Sequence, residues 1–593
     1  MGIRHSLYLK HPRLAFRIQL ILRSDTLKKQ AITDFVNSPN TTSFVIRANE
    51  YYINEIQNYP FVRATQILSD YFIIGYIDNS DVEKLTDILG TNIYSSLPYA
   101  MGLLDRSALE SAGIVQVQEQ PFLELTGRDV LVGIIDTGID YTSPAFIYED
   151  GKSKIAYLYD QTVNGNPPQN FFVGTEYSRE TINEALNLQN PYTLVDSTDE
   201  VGHGTFLASL AAGREAGDFK GAAPDADLIV VKLKEAGDFT KQNYLVPPDN
   251  KNVYESTSVM LGIEYILQKA RELGKPVSIC IGVGTNNGSH DGNTLFEQYI
   301  GMAANITGVC ICASAGNESQ ERHHASITVQ SSTTPSSINI NNENDGNGIY
   351  LSLLNSASDR ISVAIRSPTG ELVGRIPARN GTTYTSRLIL ERSKVTIQYF
   401  FPLSISSGQA TVVKIENATA GLWTVLLYGD ILLDGRVDAY LPISSAGYTG
   451  VNFLEPDPNY TVTTPGTSSS IITCGAYNDD DNSLYINSSW GPTRQPASSP
   501  DIVAPGVRVL GYYPTGQGVM SGTSVSAAIT TGACALMLQW GIIGGNAPTM
   551  DTFQIKGYLI RGCKREQGLT YPNFQWGYGK LDLYNSFNLL RET

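Results

Sequence analysis

The chain has 593 residues, of which 42% are apolar and 17% charged, with a formal net charge of −16. The length exceeds one compact core and suits roughly three or four domains, while the composition is that of an ordinary globular protein. The acidity argues against a nucleic-acid partner, whose phosphates need clustered Lys and Arg, and is expected to act on solubility instead. No unbroken apolar run reaches the roughly 18 residues of a membrane-spanning helix. Arg4, His5, Lys10, Arg13, Arg17 and Arg23 interrupt any apolar signal region. Neither a membrane span nor a secretory signal is therefore expected, and the location of the protein stays open.

Residues 1–96 mix short apolar runs at 16–22 and 71–77 with a polar helical stretch at 81–89, and read as a small α/β module. The pattern sharpens at 130–135, a buried strand ending in Asp136-Thr137-Gly138. Similar runs follow at 228–231, 277–281 and 309–313, with helical stretches at 204–212 and 256–273 between them. Strands alternating with helices predict a parallel sheet with crossover helices. Residues 325–460 change texture, alternating apolar and polar positions between Gly, Pro, Asn and Ser turns. Strands are expected there at 349–354, 361–365, 388–390, 395–401, 410–415 and 423–427, forming a sandwich or jelly roll. The α/β pattern returns from 471, with a long helical stretch at 524–540. The expected organisation is thus one α/β domain in two parts, 97–324 and 461–593, with a β domain inserted at 325–460.

Cys280, Cys310, Cys312, Cys474, Cys534 and Cys563 lie mostly in apolar segments. Their spacing fits no zinc site or short disulfide framework, so they are expected to be buried free thiols.

Six histidines limit the choice of a general base: His5, His11, His203, His290, His323 and His324. His203 lies in Gly202-His203-Gly204-Thr205, just where a helix begins, a rigid place from which an imidazole can face a cleft. Asp136 ends a buried strand, where active residues of open α/β sheets collect, and can fix an imidazole tautomer. Read alone it also suits a turn cap, and Asp140, past the turn, ranks second to it. Ser524, in Gly522-Thr523-Ser524-Val525-Ser526-Ala527, heads the long apolar helix. There it suits either an N-cap or a nucleophile whose small neighbours admit a carbonyl and whose helix N-terminus favours an oxyanion. Asn317, in Ala315-Gly316-Asn317, follows a buried strand and is either a turn residue or an oxyanion donor.

Taken together, these segments resemble the subtilisin-like (subtilase) serine peptidase family, in its order Asp, His, Ser. Gly221-Ala222-Ala223-Pro224 and Ala504-Pro505-Gly506 add to the likeness. A closer likeness, to the Csp germination proteases of clostridial spore-formers, rests on residues 136–146, 285–292 and 557–583. The resemblance implies a subtilisin-like fold, a jelly-roll insertion, and a prodomain at 1–96 that templates folding, is cleaved at about 90–100 and stays in the cleft. It implies Asp136, His203 and Ser524 as the triad, Asn317 as oxyanion donor, and Gly282, Val283 and Gly284 as a wall of the S1 pocket. It further implies a protein substrate, a cortex-lytic zymogen in germination, for a spore-associated protein expected to be monomeric. Trp490 departs from the family by replacing a basic residue. The alternatives are a catalytically silent scaffold, and a β insertion that binds glycan or protein rather than stabilising its host.

Asp479-Asp480-Asp481-Asn482 offers oxygen ligands suited to calcium but lacks a defined loop spacing, and reads as a solvated turn. His323-His324 reads as a loop pair rather than a metal site, and His290 as structural. No cofactor is expected to be required; a structural calcium ion stays open.

Overall fold

A continuous apolar strand is stable only where both faces of its sheet are covered. Leu131–Asp136 is such a strand, buried at all six positions. In the computed structural model it lies inside an eight-stranded sheet. The order across the sheet is Ile502–Pro505, Ile472–Tyr477, Val309–Ser314, Val277–Ile281, Leu131–Asp136, Asp227–Lys232, Ile155–Asp160 and Thr175–Ser178. Every neighbouring pair is parallel except the last, where Thr175–Ser178 runs antiparallel at the edge. The structure describes residues 35, 40–47, 59–69, 72–89 and 105–590, apart from 170, 172, 218, 347, 402, 404–407, 496 and 498.

The two-residue period of the strands sorts their side chains into two cores. Val132, Ile134, Leu228 and Val230 face one way, into a core shared with the helices His203–Ala212 and Thr523–Leu538. Leu131, Ile135, Ile229 and Val231 face the other, against Ser256–Leu273 and Leu295–Ala304. Cys280, Cys310, Cys312, Cys474 and Cys534 all belong to the first core, and all six cysteines are buried and unpaired, as expected. Burial pushes the thiols of Cys310, Cys312 and Cys534 well above their ordinary value, so they pack as neutral groups. Thr523–Ile543 is the one helix among the described residues long and apolar enough to cross a membrane, and 78% of its apolar window is buried inside the protein.

Residues 324–453 form two antiparallel sheets around a core of their own. Six strands run in the order His324–Thr328, Arg436–Tyr440, Ile349–Ser356, Gly408–Glu416, Lys394–Phe400 and Thr383–Arg387. Five more run in the order Leu372–Ile376, Arg360–Arg366, Gly421–Ile431, Ser336–Asn342 and Val451–Phe453. Trp423 is fully buried between them and donates its indole N–H to Thr419 O at 3.0 Å. The expected strand at 388–390 is a turn instead. Ile389 and Leu390 are exposed, and their N–H groups are taken by the Glu371 carboxylate rather than by a strand partner. The pairing strand is Thr383–Arg387, too polar to stand out from its sequence.

By compactness the chain divides into residues 1–103 and 104–593. Within the first, Thr41–Arg47, Phe72–Asp78 and Val62–Ser69 form an antiparallel sheet with Phe72–Asp78 in the middle. The helix Val82–Leu89 follows, and Phe44, Ile77 and Leu85 are buried. The apolar run expected at 16–22 and the processing region at 90–100 lie outside the described residues.

His290 is part of a buried junction between the α/β body and the β unit. Its ring stacks on Tyr440 at 3.8 Å, with Val462 O and Asn286 O at 3.0 and 2.9 Å from its two nitrogens. Two carbonyl partners favour the imidazolium, but burial dominates and, with the charges of His324 and Arg494, pushes the ring down to about 4. Below the ordinary value of 6.5 the unfolded chain takes up a proton that the folded chain refuses. Stability contributed here is therefore complete above pH 6.5 and falls toward pH 4, by about 3 kcal/mol. Thermal melts between those limits should show wild type losing more stability on acidification than His290→Gln. Parallel curves for the two proteins would show that the ring does not refuse the proton.

Candidate active site

The carboxyl ends of the parallel strands deliver the site. Asp136 is the last residue of its strand and is fully buried. Its Oδ1 accepts from the Thr137 N–H at 2.8 Å and faces His203 Nδ1 at 2.7 Å. Asp140, the second choice by sequence, is occupied in its own turn, accepting from Thr142 N and Oγ1 at 3.0 and 2.6 Å. Oδ2 of Asp136 is buried without a hydrogen-bond partner and faces Gly282. A Cβ at 282 would lie 2.1 Å from that oxygen, so only glycine lets the neighbouring strand pass.

His203 is the first residue of its helix, with Gly202 at the cap in the left-handed region at φ 81°. Because Gly202 has no side chain to cap with, the caps come from elsewhere. Asp199, nearly buried, accepts from Gly202 N, Thr205 N, Thr205 Oγ1 and Thr137 Oγ1 at 2.7–2.8 Å. Thr137 Oγ1 in turn accepts from Gly204 N at 2.9 Å. The imidazole is thereby aimed between Asp136 and the helix of Ser524, with 27% of its side chain exposed. Burial works to lower its proton affinity, but the Asp136 charge and hydrogen bond outweigh burial and hold the ring above its ordinary value.

Ser524 is not the cap of its helix: Gly522 is, and Ser524 occupies the second helical position. Its Oγ lies 3.1 Å from His203 Nε2. N–H groups in the first turn of a helix have no partner within it, and this turn faces the same space. The Asn317 carboxamide is exposed at the edge of that space, with Oδ1 accepting from Thr523 N and Oγ1 at 3.0 and 3.2 Å. That fixes the amide so that Nδ2 points away from Thr523. A Cβ at Gly522 would sit 3.5 Å from both Asn317 Nδ2 and Ser524 Oγ, filling the pocket between them.

The structure thus brings Asp136, His203, Ser524 and Asn317 together, with Gly282 behind Asp136. Val283 and Gly284 continue along the same edge, half-buried, and lead to Thr285, which exchanges backbone hydrogen bonds with Thr464 at 2.9 Å. Asp199, Thr137 and Thr523 escaped the sequence reading. Their spacing carries no periodic signal, and each serves the site through a neighbour. His323 and His324 are not a loop pair as expected: both are buried, with His323 Nδ1 on Glu318 Oε2 at 2.8 Å and His324 opening a strand. At the acidic run, Asp481 accepts from Ser483, Asp480 pairs with Arg508, and Asn482 accepts from Lys580, so these side chains serve a turn.

A buried carboxylate, an imidazole and a serine hydroxyl in contact, beside a free amide and a helix N-terminus, form a constellation suited to acyl transfer. Comparison with known proteins agrees. The model of the subtilase family, peptidase family S8, matches residues 127–388 and 403–579. The Clostridium perfringens CspB protease superposes with a TM-score of 0.73 at 30% identity, over 82% of this chain and 99% of that one. The minor extracellular protease Vpr of Bacillus subtilis is 23% identical over 505 residues, 80% of this chain and 54% of Vpr. The serine protease AprX of the same organism is 34% identical over 152 residues, 22% of this chain and 32% of AprX. The chain therefore spans about half, or less, of the length of these curated relatives. On the family match and the CspB likeness, the chain belongs to the subtilase family.

Proposed function

We propose that the protein is a serine endopeptidase that cleaves peptide bonds through an acyl-enzyme on Ser524. His203 takes the Ser524 proton as general base and returns it to the leaving amine as general acid. Water then gives a proton to His203 and attacks the acyl carbonyl; the ester bond to Ser524 Oγ breaks, the new carboxyl end leaves, and His203 returns the proton to Ser524 Oγ. Asp136 holds the imidazole in the tautomer whose Nε2 faces Ser524 and stabilises the imidazolium. Asn317 Nδ2 and the Ser524 N–H receive the oxyanion, and Gly282, Val283 and Gly284 form a wall for the substrate backbone. The observation that carries this reading is the contact series of 2.7 Å from Asp136 to His203 and 3.1 Å from His203 to Ser524. An intact series of this kind favours catalysis over the silent-scaffold alternative.

Residues 1–96 are proposed as a prodomain, cleaved at about 90–100 and retained in the cleft as an inhibitor, and 325–460 as a jelly roll that stabilises the catalytic domain. The proposed substrate is a protein, specifically a cortex-lytic zymogen in spore germination, on the resemblance to the Csp proteases.

Labelling with a fluorophosphonate probe tests the nucleophile: wild type should label and Ser524→Ala should not. Equal labelling of the two, or none even after removal of residues 1–96, would overturn the reading. Intact-mass measurement should show wild type cut between about 90 and 100 and Ser524→Ala uncut; cleavage of both would assign processing to another protease. Because the proton affinity of His203 is raised and catalysis needs its neutral form, kcat/KM should climb with pH with a midpoint above 6.5. A profile flat over roughly pH 5 to 9 would remove His203 from the proton-transfer step.

A further inference from the structure

The residue after Asn317 is an acid placed where an acid should be harmful. A carboxylate beside the group that receives an oxyanion would repel it if exposed. Glu318 instead turns inward and is 7% exposed. Its Oε2 accepts from Asn286 Nδ2 at 3.1 Å and faces His323 Nδ1 at 2.8 Å, while its backbone N–H donates to Ser489 Oγ at 3.0 Å. These partners come from three directions. Asn286 lies just beyond the Gly282–Gly284 edge, Ser489 in the second part of the α/β body, and His323 where the chain enters the β unit.

The β unit closes the cluster from its far side as well. Leu441, directly after the strand Arg436–Tyr440, accepts from Asn286 Nδ2 at 3.1 Å and donates its N–H to His323 O at 2.9 Å. Asn286, His323 and Glu318 are all buried, and Asn286 Oδ1 is left without a hydrogen-bond partner. A buried polar group short of a partner is costly, so a cluster that tolerates one is held by its other contacts. Asn317 accordingly sits between two clamps: Thr523 fixes its carboxamide, and Glu318 fixes the backbone that presents it.

We propose that Glu318 is a positioning residue for Asn317, and that the β unit, through His323 and Leu441, supplies part of its hold on the oxyanion pocket. The proposal rests on the serine-peptidase reading above. It makes the β unit a component of transition-state binding as well as a stabilising insertion. Since Glu318 would act only through Asn317, its effect should vanish when the Asn317 amide is gone.

The test is a double-mutant cycle on the full chain, following Ser524-dependent hydrolysis of a p-nitrophenyl ester with folding checked by circular dichroism. Asn317→Ala should lower kcat by about 100- to 1,000-fold, the usual effect of losing one oxyanion donor. Glu318→Ala should lower kcat about 10- to 100-fold with KM within about threefold of wild type, the signature of an interaction made in the transition state. Glu318→Gln, whose carbonyl still accepts from Asn286 and His323, should recover most of that loss. Added to Asn317→Ala, Glu318→Ala should cost less than about threefold more. An equal loss in both backgrounds, or a loss carried by KM, would overturn the proposal. If Glu318→Ala does not fold, Asn286→Ala, which removes one donor, is taken through the same two backgrounds, and equal losses there overturn it too. Absence of any Ser524-dependent hydrolysis by wild type, even after removal of residues 1–96, would instead sink the serine-peptidase reading, and this proposal with it.

Discussion

The site depends first on one buried carboxylate. Asp136 is fully buried, and a lone buried charge is among the most expensive features a fold can carry. What makes it tolerable is the combination at Oδ1 of the Thr137 N–H and the His203 ring. The dependence runs both ways. The charge keeps the imidazole proton affinity above its ordinary value against burial, and the imidazole keeps the carboxylate compensated. Neither residue can be understood without the other, and much nearby backbone exists to let them meet. Gly282 is bare because Asp136 Oδ2 occupies the place of its side chain.

From that contact the architecture works outward. A parallel sheet puts strand ends on one edge, so Asp136, Gly282 and Asn317 arrive there from neighbouring strands. The two facing helices contribute His203, the first residue of one, and Ser524, the second of the other, so both side chains stand in a first helical turn. Both helices are capped by glycines that offer no side chain, Gly202 and Gly522. The missing capping is supplied by Asp199 on one helix, while on the other Asn317 accepts from Thr523. A capping side chain at Gly522 would enter the space between Asn317 and Ser524; moving the caps to other segments leaves it open.

This division explains what could be read from the chain. The strands at 130–135, 277–281 and 309–313 and the helix at 256–273 announce themselves by period and apolar run, and the structure has them within a residue or two. Asp136, His203, Ser524 and Asn317 stand in compact local segments. Asp199 does not, and Thr523 and Glu318 do without showing their part, since each of the three acts by a hydrogen bond to a segment whose proximity only the fold creates. The β unit was legible as a texture, while single strands were not. Thr383–Arg387 is polar and mostly exposed, and of 388–390 Leu388 is buried while Ile389 and Leu390 turn outward, so the period-2 pattern misled at that edge. His323 and His324 read as a loop pair because their partners, Glu318 and Asp438, are contributed by tertiary contact.

The same buried polar groups determine how the β unit is seated. Burial opposes the Asp438 charge, but hydrogen bonds and charge from His324 and Arg436 outweigh it and hold the carboxyl well below the usual carboxylate range. Arg494 of the α/β body reaches the other carboxylate oxygen at 3.2 Å, and Tyr440, two residues on, stacks on His290. Apolar contact is non-directional and by itself does not select one register of the β unit. A buried ion cluster does, because displacing any member leaves an uncompensated charge in a dry interior. Arg494 and His290 therefore fix the β unit in one register against the body. One residue beyond Tyr440 and three beyond Asp438, the chain reaches Leu441 and the Glu318 cluster, next to Asn317. One short stretch of chain thus carries both the buried ion cluster, at Asp438, and the contacts to Asn286 and His323, at Leu441.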